Sequence, residues 1–134
     1  MGKIITVSTK YIKPSQDFLK EDTVKHIFRL IKSDNVKLLP PTPIVRHSNN
    51  PGEYIAIDGH NLIAVKDYLG ELCEIYVAES SDDELNNAAN DPAVNLRNKD
   101  LKEKYDKSLL ESTRIKNLGI DSFKKLRSKY ENLF

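Results

Sequence analysis

The chain is short of most features that mark a specialised protein. Its one cysteine, Cys73, excludes an internal disulfide framework and the paired-cysteine zinc motifs, and fits a reducing compartment. Charge of neither sign is in excess. With 21 Lys+Arg against 20 Asp+Glu the formal net charge is +1, so any binding of nucleic acid or an anionic membrane has to be local rather than a property of the whole surface. No apolar run approaches the roughly 18 to 20 residues that cross a bilayer, and the opening segment lacks the long apolar stretch of a secretory signal. The expectation is a cytoplasmic protein with no membrane partner. What is present, 134 residues with 39% hydrophobic and 31% charged side chains, is enough for one domain with a buried core.

The pattern of residues changes near Glu79. Residues 1–79 carry five of the six prolines and most of the β-branched residues in short runs broken by turn signals. Residues 80–134 have few β-branched residues, while the charge balance barely moves. This predicts an α/β domain over 1–79 and a helical C-terminal extension over 80–134.

Within the first part, Ile4–Ser8 and Lys10–Lys13 are extended by propensity, and Pro14 closes the second run. Val24, Ile27, Phe28 and Ile31 recur at helical spacing between Glu21 and Ser33. Pro40, Pro41 and Pro43 lead into Ile44–His47, and Asn49-Asn50-Pro51-Gly52 turns the chain into a second run ending at Asp58, which predicts a hairpin. His60–Leu69 reads as a helix with Gly70 as its C-cap, and Cys73–Val77 as a last strand. The order is β, β, α, β, β, α, β: an α+β fold with a small mixed sheet and two helices. In the tail, the acidic Ser80–Glu84 segment suits a helix start, and Asn86, Asn87 and Asn90-Asp91-Pro92 interrupt it. A longer helix follows over about Lys99–Asn117, with Leu101, Tyr105, Leu109 and Ile115 on one face. A final helix capped by Asp121 or Ser122 carries the stripe Phe123, Leu126, Tyr130 and Leu133. That stripe needs a partner surface, either the α/β domain or a second copy in a homodimer.

One junction has the form of a phosphate site. The strand Tyr54-Ile55-Ala56-Ile57 delivers Asp58-Gly59-His60-Asn61 directly into a helix. A glycine permits the tight turn, the free N–H groups of the first helical turn point outward, and the helix dipole favours an anion there. Asp58 is placed to hold a divalent ion or orient a hydroxyl, and His60 to donate to a phosphate oxygen. The plainer reading of the same residues is a steric strand end with Asp58 or Asn61 as a helix cap.

The strand order, together with Ile12-Lys13-Pro14, Leu39-Pro40-Pro41-Thr42-Pro43-Ile44-Val45-Arg46, the Pro51-Gly52 turn and Ile57-Asp58-Gly59-His60 followed by Ala64 and Tyr68-Leu69-Gly70, resembles the ParB/sulfiredoxin superfamily over residues 4–78. The resemblance implies binding of nucleotide phosphates by the loop that opens the helix after the hairpin. ATP, ADP or CTP with Mg is the implied ligand, and nucleotide the implied partner. Sulfiredoxins carry Gly-Gly-Cys-His-Arg at this loop, and His60 stands where their reactive cysteine would be. ParB partition proteins carry arginines that residues 58–63 lack. The free serine kinases, with Asp-Gly-His-His/Thr-Arg, match most closely and place a catalytic glutamate just after a Lys-Pro; here Lys13-Pro14 is followed by Ser15-Gln16.

A glutamine cannot take the proton of an attacking hydroxyl, and Leu62 cannot neutralise a phosphate as the family's arginine does. The expectation is therefore a ParB-like nucleotide- or phosphate-binding protein with an altered catalytic loop and a regulatory role, using Asp58, Gly59, His60 and Asn61. Arg46 on the neighbouring strand is a candidate to compensate for Leu62. The enzyme alternative is a small-molecule kinase with Glu21 or Asp17 as base. A DNA-associated partition or regulatory accessory is a third reading, motivated by Lys124, Lys125, Arg127 and Lys129 in the last helix. His26, His47 and His60 lack the close spacing of a metal motif, and Cys73 reads as a buried, inert thiol.

Overall fold

The structure, a computed structural model, describes residues 2–81 and 98–134. Five strands form one mixed sheet: β1 (Lys3–Ser8), β2 (Ile12–Lys13), β3 (Ile44–His47), β4 (Tyr54–Asp58) and β5 (Leu72–Ala78), in spatial order β1-β5-β3-β4-β2. The β1/β5 and β3/β4 pairs are antiparallel, and the β3/β5 and β2/β4 pairs are parallel. Helix α1 (Glu21–Lys32) joins β2 to β3, α2 (His60–Leu69) joins β4 to β5, and α3 (Asn98–Asn117) and α4 (Phe123–Ser128) form the tail. The fold is α+β, a small mixed sheet with two helices followed by a helical tail.

Each element follows from its residues. Helix α1 buries Val24, Ile27 and Leu30, with Phe28 and Ile31 packed beside them; Glu21 and Asp22 open it and Arg29 and Lys32 close it, both favourable to the helix dipole. Helix α2 is buried over Leu62–Val65, as a central helix must be, and ends at Gly70 in the left-handed region, φ 69°, with the Gly70 and Glu71 N–H groups bonded back to its last turn. The hairpin expected between Ile44 and Asp58 is present, with its turn carried by Gly52 at φ 79°.

Three expectations are corrected. The second strand is only Ile12–Lys13, because Ser8 caps a 3-10 turn over Thr9–Tyr11 that takes up the start of the run. The last helix stops at Ser128 rather than running through Leu133, which lies in a separate 3-10 turn, Glu131–Leu133. Leu30, absent from the expected α1 stripe, is buried, while Phe28 is half-buried. Ser122 is the cap of α4, its hydroxyl accepting the Lys125 N–H at 3.1 Å. The readings for Glu84, Asn86, Asn87 and Asn90–Pro92, and for the side chain of Leu101, lie outside the described residues.

The tail folds back on the sheet. Ile115, Ile120, Phe123 and Leu126 belong to the same buried cluster as Val45, Ala56, Ile75 and Val77 of the strands and Val24, Ile27 and Ile63 of the first two helices. Burying a side chain such as Phe123 stabilises by about 1.5–3 kcal/mol, which is why the apolar stripe settles here rather than in water. The opposite face of the sheet holds a smaller cluster, Ile44, Ile57 and Ala78, packed under Tyr76 and under Tyr105 of α3. Among the described residues no helix is long and apolar enough to cross a membrane.

Candidate functional site

Strand β4 ends at Asp58 and α2 begins at His60, with Gly59 between them at φ 94°. The glycine is required twice. Its backbone lies in the left-handed region, and a Cβ there would stand 2.7 Å from the Pro43 Cβ and 2.8 Å from its Cα. The N-cap position of α2 is Gly59 itself, which has no side chain to cap with. Asp58, mostly buried, sets Oδ1 at 3.7 Å from the Lys104 ammonium of α3.

The two polar side chains that follow are used by a neighbouring segment. His60 is 3% exposed, and its Nε2 accepts the backbone N–H of Ser15 at 3.0 Å. The Ser15 hydroxyl in turn donates to the Ala56 carbonyl, and the His60 ring lies 5.6 Å from the Phe123 ring. Burial, and secondarily the Lys104 charge, pushes the imidazole pKa down to about 3, so the ring is neutral at pH 7. The expected donation from His60 to a phosphate oxygen is corrected accordingly: Nε2 is an acceptor, already taken, in a site closed to solvent. Asn61 does not cap its own helix. Its Oδ1 accepts the Lys20 N–H at 2.8 Å, at the start of α1.

These bonds hold residues 15–20 against the junction, and that segment walls a pocket of about 320 Å³. Ser15, Gln16 and Phe18 line one side, Ile57 of β4 lies at the base, and Lys104, Lys107 and Ser108 of α3 close the other side together with Glu103 and Glu111. Apolar surface comes from Phe18 and Ile57. Lys107 is 2.6 Å from Glu103, one turn away. The four junction residues are not in the lining; they adjoin it through Ser15 and Lys104.

The remaining expected residues are dispersed. Arg46 does not turn to the junction: Nη1 donates to the Tyr105 carbonyl at 3.1 Å, and the guanidinium sits 4.4 Å from the Tyr105 ring centroid, so its charge holds α3 to the sheet. Leu62 is buried in the core. Gln16 lines the pocket, its amide donating to the Phe18 carbonyl at 2.9 Å. Asp17 faces Arg114 at 3.8 Å and Glu21 faces Lys25 at 2.8 Å. In α4 and just beyond it, Lys125 pairs with Asp121, Arg127 with Asp67, and the Lys129 ammonium donates to the Asp17 carbonyl. Cys73 is buried, and burial pushes its thiol up to about 11, which suppresses the reactive thiolate. Among the described residues, no three His, Cys, Asp or Glu side chains converge as a metal site.

Sequence reasoning missed Ser15, Phe18, Lys104, Lys107 and Ser108. One signal was available: Ser108 stands at helical spacing between Tyr105 and Ile115, and a hydroxyl inside an apolar stripe is a place to look for a lined cavity. It is 1% exposed and donates to the Tyr105 carbonyl at 2.7 Å. No protein-family model matches the chain, and no curated protein matches it in sequence.

Proposed function

We propose that this chain is a ParB-like nucleotide- or phosphate-binding protein with an altered catalytic loop and a regulatory role. The observation that carries the reading is the pocket of about 320 Å³ that adjoins the β4–α2 junction through Ser15 and Lys104, with apolar walls from Phe18 and Ile57 and the ammonium groups of Lys104 and Lys107 on one side. A nucleotide has matching parts: a flat base for the apolar walls and phosphates for the lysines. Both lysines already face carboxylates, Asp58 and Glu103. The Lys107–Glu103 pair is exposed and screened by solvent, so a phosphate can take the place of that carboxylate. Asp58 is a hard oxygen donor suited to Mg²⁺ brought in on the phosphates, an ion that commonly takes one or two protein carboxylates and keeps waters. Gln16 supports the absence of glutamate-type chemistry, since a carboxamide has no proton-accepting role at neutral pH.

The test is calorimetric titration with ATP, ADP and CTP, each with and without Mg²⁺. Saturable binding to at least one, weakened about tenfold by Lys104→Ala combined with Lys107→Ala, is the expected result. No saturable heat with any of the three overturns the reading. Adding serine to the same nucleotides and assaying for phosphoserine tests the kinase alternative, and its formation would replace the regulatory role with an enzymatic one.

A further inference from the structure

The two edges of the sheet are unlike. At one edge β2 is two residues long and is followed at once by Pro14, so it offers almost no free backbone. At the other, β1 is six residues long, contains no proline, and among the described residues pairs on one side only, with β5. Neither a proline nor a bulge occurs in Lys3–Ser8, and its one inner-face charge, Lys3 opposite Val77, stands exposed at the first position of the strand and leaves Ile4–Ser8 uncharged.

Its side chains are also unfinished. Ile5 and Val7 lie opposite Ile75 and Cys73 and pack against the main core, yet remain only partly buried, because nothing described continues the sheet beyond them. On the other face Ile4 is 59% exposed and Leu72, opposite Ser8, is 63% exposed.

We propose that β1 is a self-association edge, pairing antiparallel with β1 of a second copy about a two-fold axis at Thr6. Opposed residues in a ladder share a face, so helices of both copies stay on one side only in registers that pair inward residues with inward ones. The register centred on Thr6 does this. It sets Ile5 against the partner's Val7 on the inner face, giving the row Ile75, Ile5, Val7, Cys73 across the joint. On the outer face it sets Ile4 against the partner's Ser8, giving the row Tyr76, Ile4, Ser8, Leu72. Thr6 meets its own copy, a favourable β-branched pair. The charges are compatible as well: the two Lys3 side chains fall six residues apart along the ladder, about 20 Å, and the two Glu74 side chains are three strand spacings apart, about 14 Å. This self-complementarity selects a second copy over an unrelated extended peptide. The result is a continuous ten-stranded sheet, independent of the nucleotide reading.

Sedimentation velocity across a wide concentration range tests it. The wild type is expected to show a reversible monomer–dimer equilibrium, and Thr6→Lys, which sets two ammonium groups against each other on an exposed side chain, is expected to weaken it about tenfold with an unchanged circular dichroism spectrum. Thr6→Val is expected to retain the dimer. In the proposed register Thr6→Cys places its Cα about 4.5–5.5 Å from the partner's, within disulfide reach, whereas the native Cys73 is buried. A wild-type monomer at every concentration overturns the proposal. So does a Thr6→Cys chain that crosslinks no faster than one carrying Ser33→Cys on the exposed end of α1.

Discussion

His60 Nε2 accepts the Ser15 backbone N–H at 3.0 Å, so a histidine at the start of α2 fastens a segment 45 residues earlier in the chain. The bond requires a neutral ring, and burial supplies one by holding the pKa at about 3 against an ordinary 6.5. The consequence for stability has a definite sign. The folded pKa is depressed, so this contribution is fully present above about pH 6.5 and is lost as pH falls toward 3, where the unfolded chain binds a proton that the folded chain refuses. The expected slope in that window is up to about 1.4 kcal/mol per pH unit. Urea denaturation at a series of pH values measures it; His60→Gln, which offers an amide oxygen in place of Nε2, is expected to flatten the slope, and an unchanged profile would refute the assignment.

Gly59→Ala tests the junction directly. The new methyl would enter a left-handed backbone with Pro43 2.7 Å away, and the backbone of β4 and α2 leaves little room to relax. A loss of about 1–3 kcal/mol or more is expected, read as a drop in the denaturation midpoint at constant slope. Gly52→Ala, whose Cβ would meet nothing within 4 Å, is the comparison and is expected to cost less.

Asp67 joins three elements. It accepts the Thr9 hydroxyl at 2.7 Å and the Arg127 Nε–H at 2.7 Å, and the Arg127 guanidinium lies 5.5 Å from the Tyr68 ring centroid. Both charged side chains are mostly buried, so deleting one leaves the other without a full set of partners. Asp67→Ala is expected to cost about 1–3 kcal/mol. A double-mutant cycle with Arg127→Met should return a coupling of about 0.5–3 kcal/mol, and additivity would show that the pair contributes nothing.

The tail's place in the core predicts that it is needed for folding. Phe123 is buried against His60 and the common cluster, so Phe123→Ala is expected to cost about 3–5 kcal/mol. If the extension were a separate unit, chemical denaturation would instead lose a minor transition and leave the main one in place.

Much of this architecture is legible in local pattern. The bounds of β3 and α2, the glycine at the end of α2 and a cap for α4 at Asp121 or Ser122 are all readable because each depends on residues within one turn or one pleat of each other, and the structure chooses Ser122. The shortened β2 and early end of α4 are less so, since a 3-10 turn competes with strand or helix by small energies that neighbouring packing decides. The strand-to-helix junction is legible, but the partners of its polar side chains are not. Asp58-Gly59 at a strand-to-helix junction is visible in four letters, but whether His60 and Asn61 face a ligand or a loop depends on Ser15 and Lys20, more than 40 residues away.

By itself, then, the sequence determined the element order, the amphipathic faces and the turn that only glycine allows, because helical and strand periodicity and backbone sterics act over a few residues. Tertiary structure alone decided which partner each polar side chain met. It gave Arg46 to Tyr105, Asp58 to Lys104 and His60 to Ser15, and laid α3 and α4 over the sheet. The reason is physical: burying the tail's apolar stripe brings distant segments together, and each buried polar group then bonds to whatever donor or acceptor that packing leaves within reach.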